Sequence, residues 1–327
     1  MSDSLPVVLP PSSSLELASA VPLPSAITAL GEAGRFCWEE FFSANLRNKH
    51  TRRAYTHAVT RFLNWIEPQQ IALPRVTPGL VGAYLDAHPG SVPTKKVQLA
   101  ALRAFLDLLV TRHLLVLNPA ASVRGERYSV VEGKTPAMPR EHAKRVLDAV
   151  DLSRPVGLRD RAILCTCLYT AARDGAIAAL RLGDLRFDGV QYSLRFLEKG
   201  GKAREIPVRS TLQESLRAYL ASFDWQAGRK DEPLFRSVAG RSGELTDRPI
   251  QAIDIYRMLK RRLKAAGLPT SYSPHSFRVS VITDLLEQGV PLEDVQRLAG
   301  HADPRTTRLY DRRRKTVTRN IVERISF

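Results

Sequence analysis

The chain reads as a mostly α-helical protein of two domains, the second carrying one small antiparallel β-sheet. Three observations predict this. Apolar residues recur at helical spacing from about Ala33 to Asn118. Residues 119–139 (PAASVRGERYSVVEGKTPAMP) then mix Gly, Pro and both signs of charge without any period, as interdomain linkers do. Beyond them the helical spacing resumes. It is broken by an alternating stretch at Tyr192–Leu197, a Lys199-Gly200-Gly201-Lys202 turn and a returning stretch at Ala203–Val208. A length of 327 residues suits two cores better than one. The expected organisation is a flexible arm at 1–32, a helical bundle at 33–118, a linker at 119–139 and an α+β domain at 140–327.

The arm is rich in Pro, Ser and Leu and nearly uncharged. It has no basic stretch ahead of an apolar core, and prolines interrupt it, so it does not read as a secretion leader. In the bundle, Phe36, Trp38, Phe41, Phe42 and Leu46 supply one apolar face. A second helix opens within NKHTRRAY, with Thr51 as its expected cap. Tyr55, Val59, Phe62, Leu63 and Trp65 point inward from it, and Lys49, Arg52, Arg53, His57 and Arg61 lie elsewhere around it. A third helix spans Pro78 to Ala87. A fourth begins at Thr94 and carries Lys95, Lys96, Val97, Leu99, Leu102, Phe105, Leu106 and Leu109.

In the second domain, helices are expected near Arg140–Val150 and from Leu158 through Tyr169. A further start is marked by Ala172-Arg173-Asp174-Gly175. Asp184-Leu185 leads into short strands. Helices resume at Thr211–Phe223 and Ile250–Ala266, with Gly228–Arg248 between them as loop. Three more helices are expected at 275–288, 291–299 and 303–310, where Pro274, Pro291 and Pro304 stand near helix starts.

Charge narrows the class. There are 49 Lys+Arg against 33 Asp+Glu, a net charge of +16 and a pI near 10.1. Such a field favours polyanions. No apolar run approaches the ~20 residues that span a bilayer, and the basic residues are spread along the chain, so nucleic acid is favoured over a membrane surface. Cys37, Cys165 and Cys167 are too few, and wrongly spaced, for a disulfide scaffold or a zinc site. They read as small apolar residues in a reducing cytosol.

The chemistry concentrates in SPHSFRVSVITDLLEQGVPLEDVQRLAGHADPRTTRLYDRRR. His275 and Arg278 lie one helical turn apart, and Tyr310 follows Gly300-His301 by nine residues. Attack on a phosphodiester needs a nucleophile, donors for the non-bridging oxygens, and an acid for the departing oxygen. A phenol ionises near pH ~10 and so needs help to lose its proton. Neighbouring imidazoles and guanidiniums offer it. The plainer reading of each residue alone is an aromatic packing on a helix, or a surface cation.

The ordered set Arg173 (in TAARDG), Lys199 (in EKGGKAREIP), His275-x-x-Arg278, Gly300-His301 and Tyr310 resembles the tyrosine recombinases of the phage-integrase or Xer type. The likeness covers about 140–315. The preceding bundle, with NKHTRRAYTHAVTRFLNW, is similar to that family's SAM-like core-binding domain. The resemblance implies Tyr310 as the nucleophile forming a 3′-phosphotyrosyl link, with Arg173 and Arg278 clamping the phosphate. It implies Lys199 as general acid, with Lys202 as runner-up, His275 as proton acceptor and His301 as phosphate donor. Lys49, Arg52, Arg53, Lys95, Lys96, Lys202 and Arg204 are expected to contact DNA. The sequence departs from the family pattern in two places. The family usually has an acid three residues after its first arginine, where this chain has Ala176, the acid standing at Asp174 instead. Val279 replaces a histidine common after the second arginine.

The resemblance also implies double-stranded DNA recombination sites as partner, a dimer on each site and a tetramer in synapsis, with a Holliday junction between strand exchanges. It implies no metal, nucleotide or redox cofactor and a place in the cytoplasm at the nucleoid, and it leaves room for accessory DNA-bending proteins. A type IB topoisomerase or a catalytically silent DNA-binding regulator are the rival readings. Residues 301–327 carry eight basic side chains against three acidic, and Ile321, Val322, Ile325 and Phe327 fall at helical spacing. In the family this end, here 311–327, packs into a neighbouring protomer. A chain ending after Lys315 is therefore predicted to bind DNA but to assemble and recombine weakly. Full recombination by the shortened chain, scored on a two-site plasmid, would remove the exchange reading.

Overall fold

The computed structural model describes residues 23–128, 133–197, 203–223, 229–240 and 242–311. The chain divides into two compact units, Met1–Ser129 and Val130–Phe327.

The first unit contains α1 (Ser25–Thr28), α2 (Gly31–Glu39), α3 (Lys49–Ile66), α4 (Pro78–Ala87) and α5 (Val92–Thr111). The chain runs on from α2 as a π-helical turn over Glu40–Asn45. That wider turn helps bury both Phe41 and Phe42 beside Trp38. Their rings meet Phe105 of α5 at centroid distances of 5.3 Å for Phe41, 6.3 Å for Phe42 and 5.8 Å for Trp38.

Several expectations are corrected here. Residues 25–32 are not a free arm: Ile27 is fully buried in this core, which holds α1 against the bundle. Residues 1–22 lie outside the described ones. Phe36 is 58% exposed beneath the Arg112 guanidinium, and Cys37 takes the inward place beside Trp38. Asn48, not Thr51, caps α3, because its side-chain oxygen accepts the N–H groups of His50 and Thr51 at 2.9 and 3.1 Å. The early part of the expected linker is fastened to α5. Arg103 donates to the carbonyls of Ala120 and Val123, and Lys95 reaches Glu126 at 2.9 Å.

The second unit contains α6 (Arg140–Asp148), α7 (Pro155–Thr170), α8 (Asp174–Ala178), β1 (Leu185–Phe187), β2 (Tyr192–Leu197), β3 (Ala203–Pro207) and α9 (Ser210–Leu220). It continues with β4 (Arg236–Val238), β5 (Leu245–Pro249), α10 (Ala252–Ala265), α11 (Pro274–Glu287), α12 (Leu292–Ala299) and α13 (Pro304–Arg308). The first three strands form an antiparallel sheet in the order β1-β2-β3, with Leu194 opposite Ile206 and Leu197 opposite Ala203. The stretch expected to be loop, Gly228–Arg248, instead holds β4 and most of the antiparallel strand β5 that pairs with it. These strands are too short to show alternation in sequence. Side chains hold them: Ser237 to Thr246 at 2.7 Å, and Arg236 between Glu232 and Asp247.

Helix α7 runs through the middle of this unit, every side chain from Ala162 to Cys167 being buried. Its entry requires Gly157, since a Cβ there would stand 1.7 Å from the Asp151 carbonyl oxygen. One turn on, the Asp160 carboxylate is buried between two forks. Arg159 donates to Oδ1 at 3.1 and 2.6 Å, and Arg262 of α10 to Oδ2 at 3.0 and 2.7 Å. Arg159 also donates to the Arg236 carbonyl, so this cluster joins α7, α10 and β4. Helices α11, α12 and α13 close a separate small core of Val279, Ile282, Leu286, Val295, Ala299 and Tyr310. Among the described residues no helix is long and apolar enough to cross a membrane.

Removing one partner of a buried pair leaves uncompensated charge. Asp160→Ala is predicted to cost about 3–5 kcal/mol in urea unfolding. Asp254→Ala, whose partner Arg257 is solvent-exposed, is predicted to cost under about 1 kcal/mol. Equal losses would show that the Asp160 cluster does not hold the unit together.

Candidate active site

Helix α11 starts inside a reciprocal cap. The Ser273 backbone N–H donates to Ser276 Oγ at 3.0 Å, and Pro274 supplies a first helical residue with no N–H to satisfy. The first turn then presents His275 outward and buries Arg278, which is 2% exposed. Arg278 Nη1 donates to the carbonyl of Ala171, and Nη2 to that of Ala299 at 2.6 Å. Those carbonyls lie at the carboxyl ends of α7 and α12, where helices leave acceptors unpaired and a cation is favoured.

Each of these ends turns through a left-handed residue. Ala171 has φ 48° and Gly300 φ 64°. The first turn delivers Arg173 as the cap residue of α8, and the second delivers His301. Glycine is favoured at position 300, because L side chains adopt that conformation only at a cost. Arg278 therefore fixes the two places from which Arg173 and His301 emerge.

Tyr310 follows α13, whose start is capped by Asp303 accepting the Arg305 N–H at 2.9 Å. The Tyr310 side chain is largely buried, and its hydroxyl lies 3.2 Å from His275 Nε2. Its ring stacks on that of His301, centroids 5.6 Å apart and planes 14° from parallel. His301 Nδ1 lies 2.9 Å from Thr307 Oγ1, which sets the rotation of the imidazole. Thr283 Oγ1 donates to the Tyr310 carbonyl at 3.3 Å. Neither threonine was singled out in sequence, because Thr307 reaches back to His301 only once α13 has folded, and Thr283 sits on a different helix.

The electrostatics link these groups. Burial, then the charges of Arg278 and Arg173, then His275 and Arg204, push His301 down to about 3. Burial, then Arg278 and Arg173, also lower His275, while Asp174 opposes them. Arg173 is exposed, yet its charge acts on both imidazoles. Ala176 packs against the core of the second unit and bears no charge. The acid at Asp174 instead caps the Gly175 N–H at 3.0 Å within electrostatic reach of His275.

The structure thus brings Arg173, His275, Arg278, His301 and Tyr310 together. Lys199 and Lys202 fall in 198–202, outside the described residues, and the tail expectation likewise falls on 312–327. Arg204, expected to contact DNA, is turned inward: Nη1 donates to the carbonyls of Thr170, at 3.3 Å, and of Leu298. In the first unit Lys49 and Arg53 are exposed on α3, whereas Arg52 returns to the Leu46 carbonyl at 3.0 Å. Lys95 is paired with Glu126, and Lys96 lies 5.8 Å from the centre of the Tyr128 ring.

Between an ordinary pKa of 6.5 and about 3, the unfolded chain binds a proton at His301 that the folded chain does not. Stability must therefore fall as pH falls through that window, and lowered His275 acts in the same sense. His301→Asn is predicted to flatten part of this slope in urea midpoints measured below pH 6.5. A slope identical to wild type would mean that His301 is not the group responsible.

Residues 137–316 match the phage integrase family, and residues 38–113 match the phage integrase N-terminal SAM-like domain. Tyrosine recombinase XerC of Xylella fastidiosa (strain 9a5c) is 31% identical over 276 residues, covering 80% of this chain and 85% of that protein. Tyrosine recombinase XerC of Myxococcus xanthus is 30% identical over 285 residues, covering 83% and 91%. The fold is that of XerH site-specific recombinase in its pre-cleavage complex with difH substrate, at TM-score 0.64 and 18% identity over 95% of this chain and 86% of that one. The ordered constellation around Tyr310, the helical unit ahead of it and these likenesses agree: the chain belongs to the phage integrase family and is a tyrosine site-specific recombinase.

Proposed function

We propose that this recombinase cuts and rejoins duplex DNA at specific sites by attack of the Tyr310 hydroxyl on a backbone phosphate. The oxygen–phosphorus bond that forms is a 3′-phosphotyrosyl ester, and the bond that breaks releases a 5′ hydroxyl. His275 receives the phenolic proton, across the 3.2 Å contact that carries this reading. Arg173 and Arg278 bear on the non-bridging oxygens, a task that suits forked guanidinium donors. His301, neutral at pH 7 and oriented through Thr307, keeps an N–H to offer to the same phosphate. Lys199 protonates the departing 5′ oxygen, Lys202 being the alternative. Reversal by the 5′ hydroxyl of another strand rejoins the DNA, and the ester conserves the energy of the bond it replaced.

The helical first unit, 33–118 within the expected boundaries, adds DNA contacts through exposed cations such as Lys49 and Arg53. By analogy with relatives named as bound to DNA in dimers and on a Holliday junction, two copies occupy one site and four act in synapsis, joined through 311–327. The net charge of +16 supports this partner. Site-specific strand exchange is favoured over relaxation of a single duplex because the relatives at 30% identity or above are named tyrosine recombinases.

The test is covalent capture. The purified chain is incubated with sheared genomic DNA from its own source, and protein-linked fragments are recovered and sequenced. One recurring sequence, linked through its 3′ phosphate and lost in Tyr310→Phe, is the expected outcome. A wild-type protein that yields no linked DNA, even on a nicked duplex of any enriched sequence, is not acting as a strand-transferring enzyme.

A further inference from the structure

We infer that Arg204 is a positioning residue of this active site, which locks the carboxyl end of α7 to the carboxyl end of α12 and so holds Arg173 and His301 in register. The inference rests on the proposed reading of those two residues as phosphate contacts.

Four consecutive-pair carbonyls carry the argument. Arg278 takes Ala171 and Ala299; Arg204 takes their immediate neighbours, Thr170 and Leu298. Two guanidiniums from unrelated elements, α11 and β3, thus clasp the same pair of helix ends. These ends lead directly into the left-handed turns that deliver Arg173 and His301. One guanidinium leaves the two helix ends free to hinge about it, whereas two at separate positions fix their relative rotation as well.

Arg204 is built for an internal role. Its guanidinium lies 5.2 Å from the centre of the Phe196 ring, on the strand directly opposite. Nη1 spans both carbonyls, which one hydrogen on each contact allows, and the flat fork is set by the ring beneath it. Arg204 also stands two residues beyond 198–202, the segment that contains Lys199. The clasp therefore ties the start of β3 to the same helix ends.

Full-length Arg204→Gln and Arg204→Lys are compared with wild type in two measurements. One is the rate of covalent adduct formation, beside binding affinity, on the DNA captured by wild type. The other is the His301 ring resonance of the free protein, displaced by its stack on Tyr310. Loss of the charge-assisted clasp on the Thr170 and Leu298 carbonyls predicts adduct formation about 10- to 100-fold slower in Arg204→Gln. Affinity should stay at the wild-type value and the His301 displacement should collapse. Lysine, which keeps the charge but not the fork, should give an intermediate rate and an intermediate displacement.

Adduct formation at the wild-type rate in Arg204→Gln overturns the inference. So does a slow rate with an unmoved His301 resonance, and so does a loss of affinity alone, which would return Arg204 to DNA contact. If Arg204→Gln does not fold, Arg204→Lys decides: behaviour equal to wild type in both measurements shows that the fork is not needed. Absence of any wild-type adduct would instead fail the functional reading, and the resonance measurement, made without DNA, would still judge the clasp.

Discussion

The burial of the Arg278 guanidinium is the constraint on which the second unit's site depends. A charged group at 2% exposure is costly unless its donors find partners. Here the partners are the carbonyls of Ala171 and Ala299, both at helix ends whose dipoles favour a cation. The interaction satisfies both sides at once, since the helices also need their terminal carbonyls covered. It brings residues 107 and 21 positions away along the chain to a single point. Arg173, His301 and, through α13, Tyr310 all follow from where those helices stop.

Much of this was legible in sequence. The spacing of His275 and Arg278, the Gly300-His301 pair and the distance to Tyr310 are local properties, set by helix period and by a glycine that tolerates a left-handed turn. The helices of both units followed from apolar spacing for the same reason, Pro78–Ala87 being an example. What sequence did not reveal depends on contacts between distant elements. Arg204 looks like any strand arginine until β3 is placed against α12. Ile27 belongs to a Pro- and Ser-rich stretch, yet the bundle's core has room for it and draws α1 in. The β4–β5 pair is held by Arg236 and by Ser237 with Thr246, which no alternation of apolar residues announces.

The departure at position 176 has a partial resolution. The family's usual acid would stand three residues after Arg173, where Ala176 packs against the core and bears no charge. Asp174 lies at the first position of α8, where a carboxylate is favoured by the helix terminus and can accept the Gly175 N–H. Its charge still reaches His275 and opposes the effect of the two arginines. Placing the acid at Asp174 thus keeps a negative charge near the His275 imidazole.

The cations that suit the site for a phosphate also work against its histidines. Burial and the neighbouring guanidiniums lower both imidazoles, so that both are neutral at pH 7, but a lowered His275 is also a weaker proton acceptor. On the proposed reading, the substrate supplies the compensating charge. A phosphate between Arg173 and Arg278 brings negative charge against the same guanidiniums, offsetting the repulsion that a protonated His275 would otherwise meet. Proton transfer from Tyr310 is then easiest when DNA is in place and unfavourable when it is not. A nucleophile held 3.2 Å from its acceptor in the free protein can stand ready in this way without reacting elsewhere.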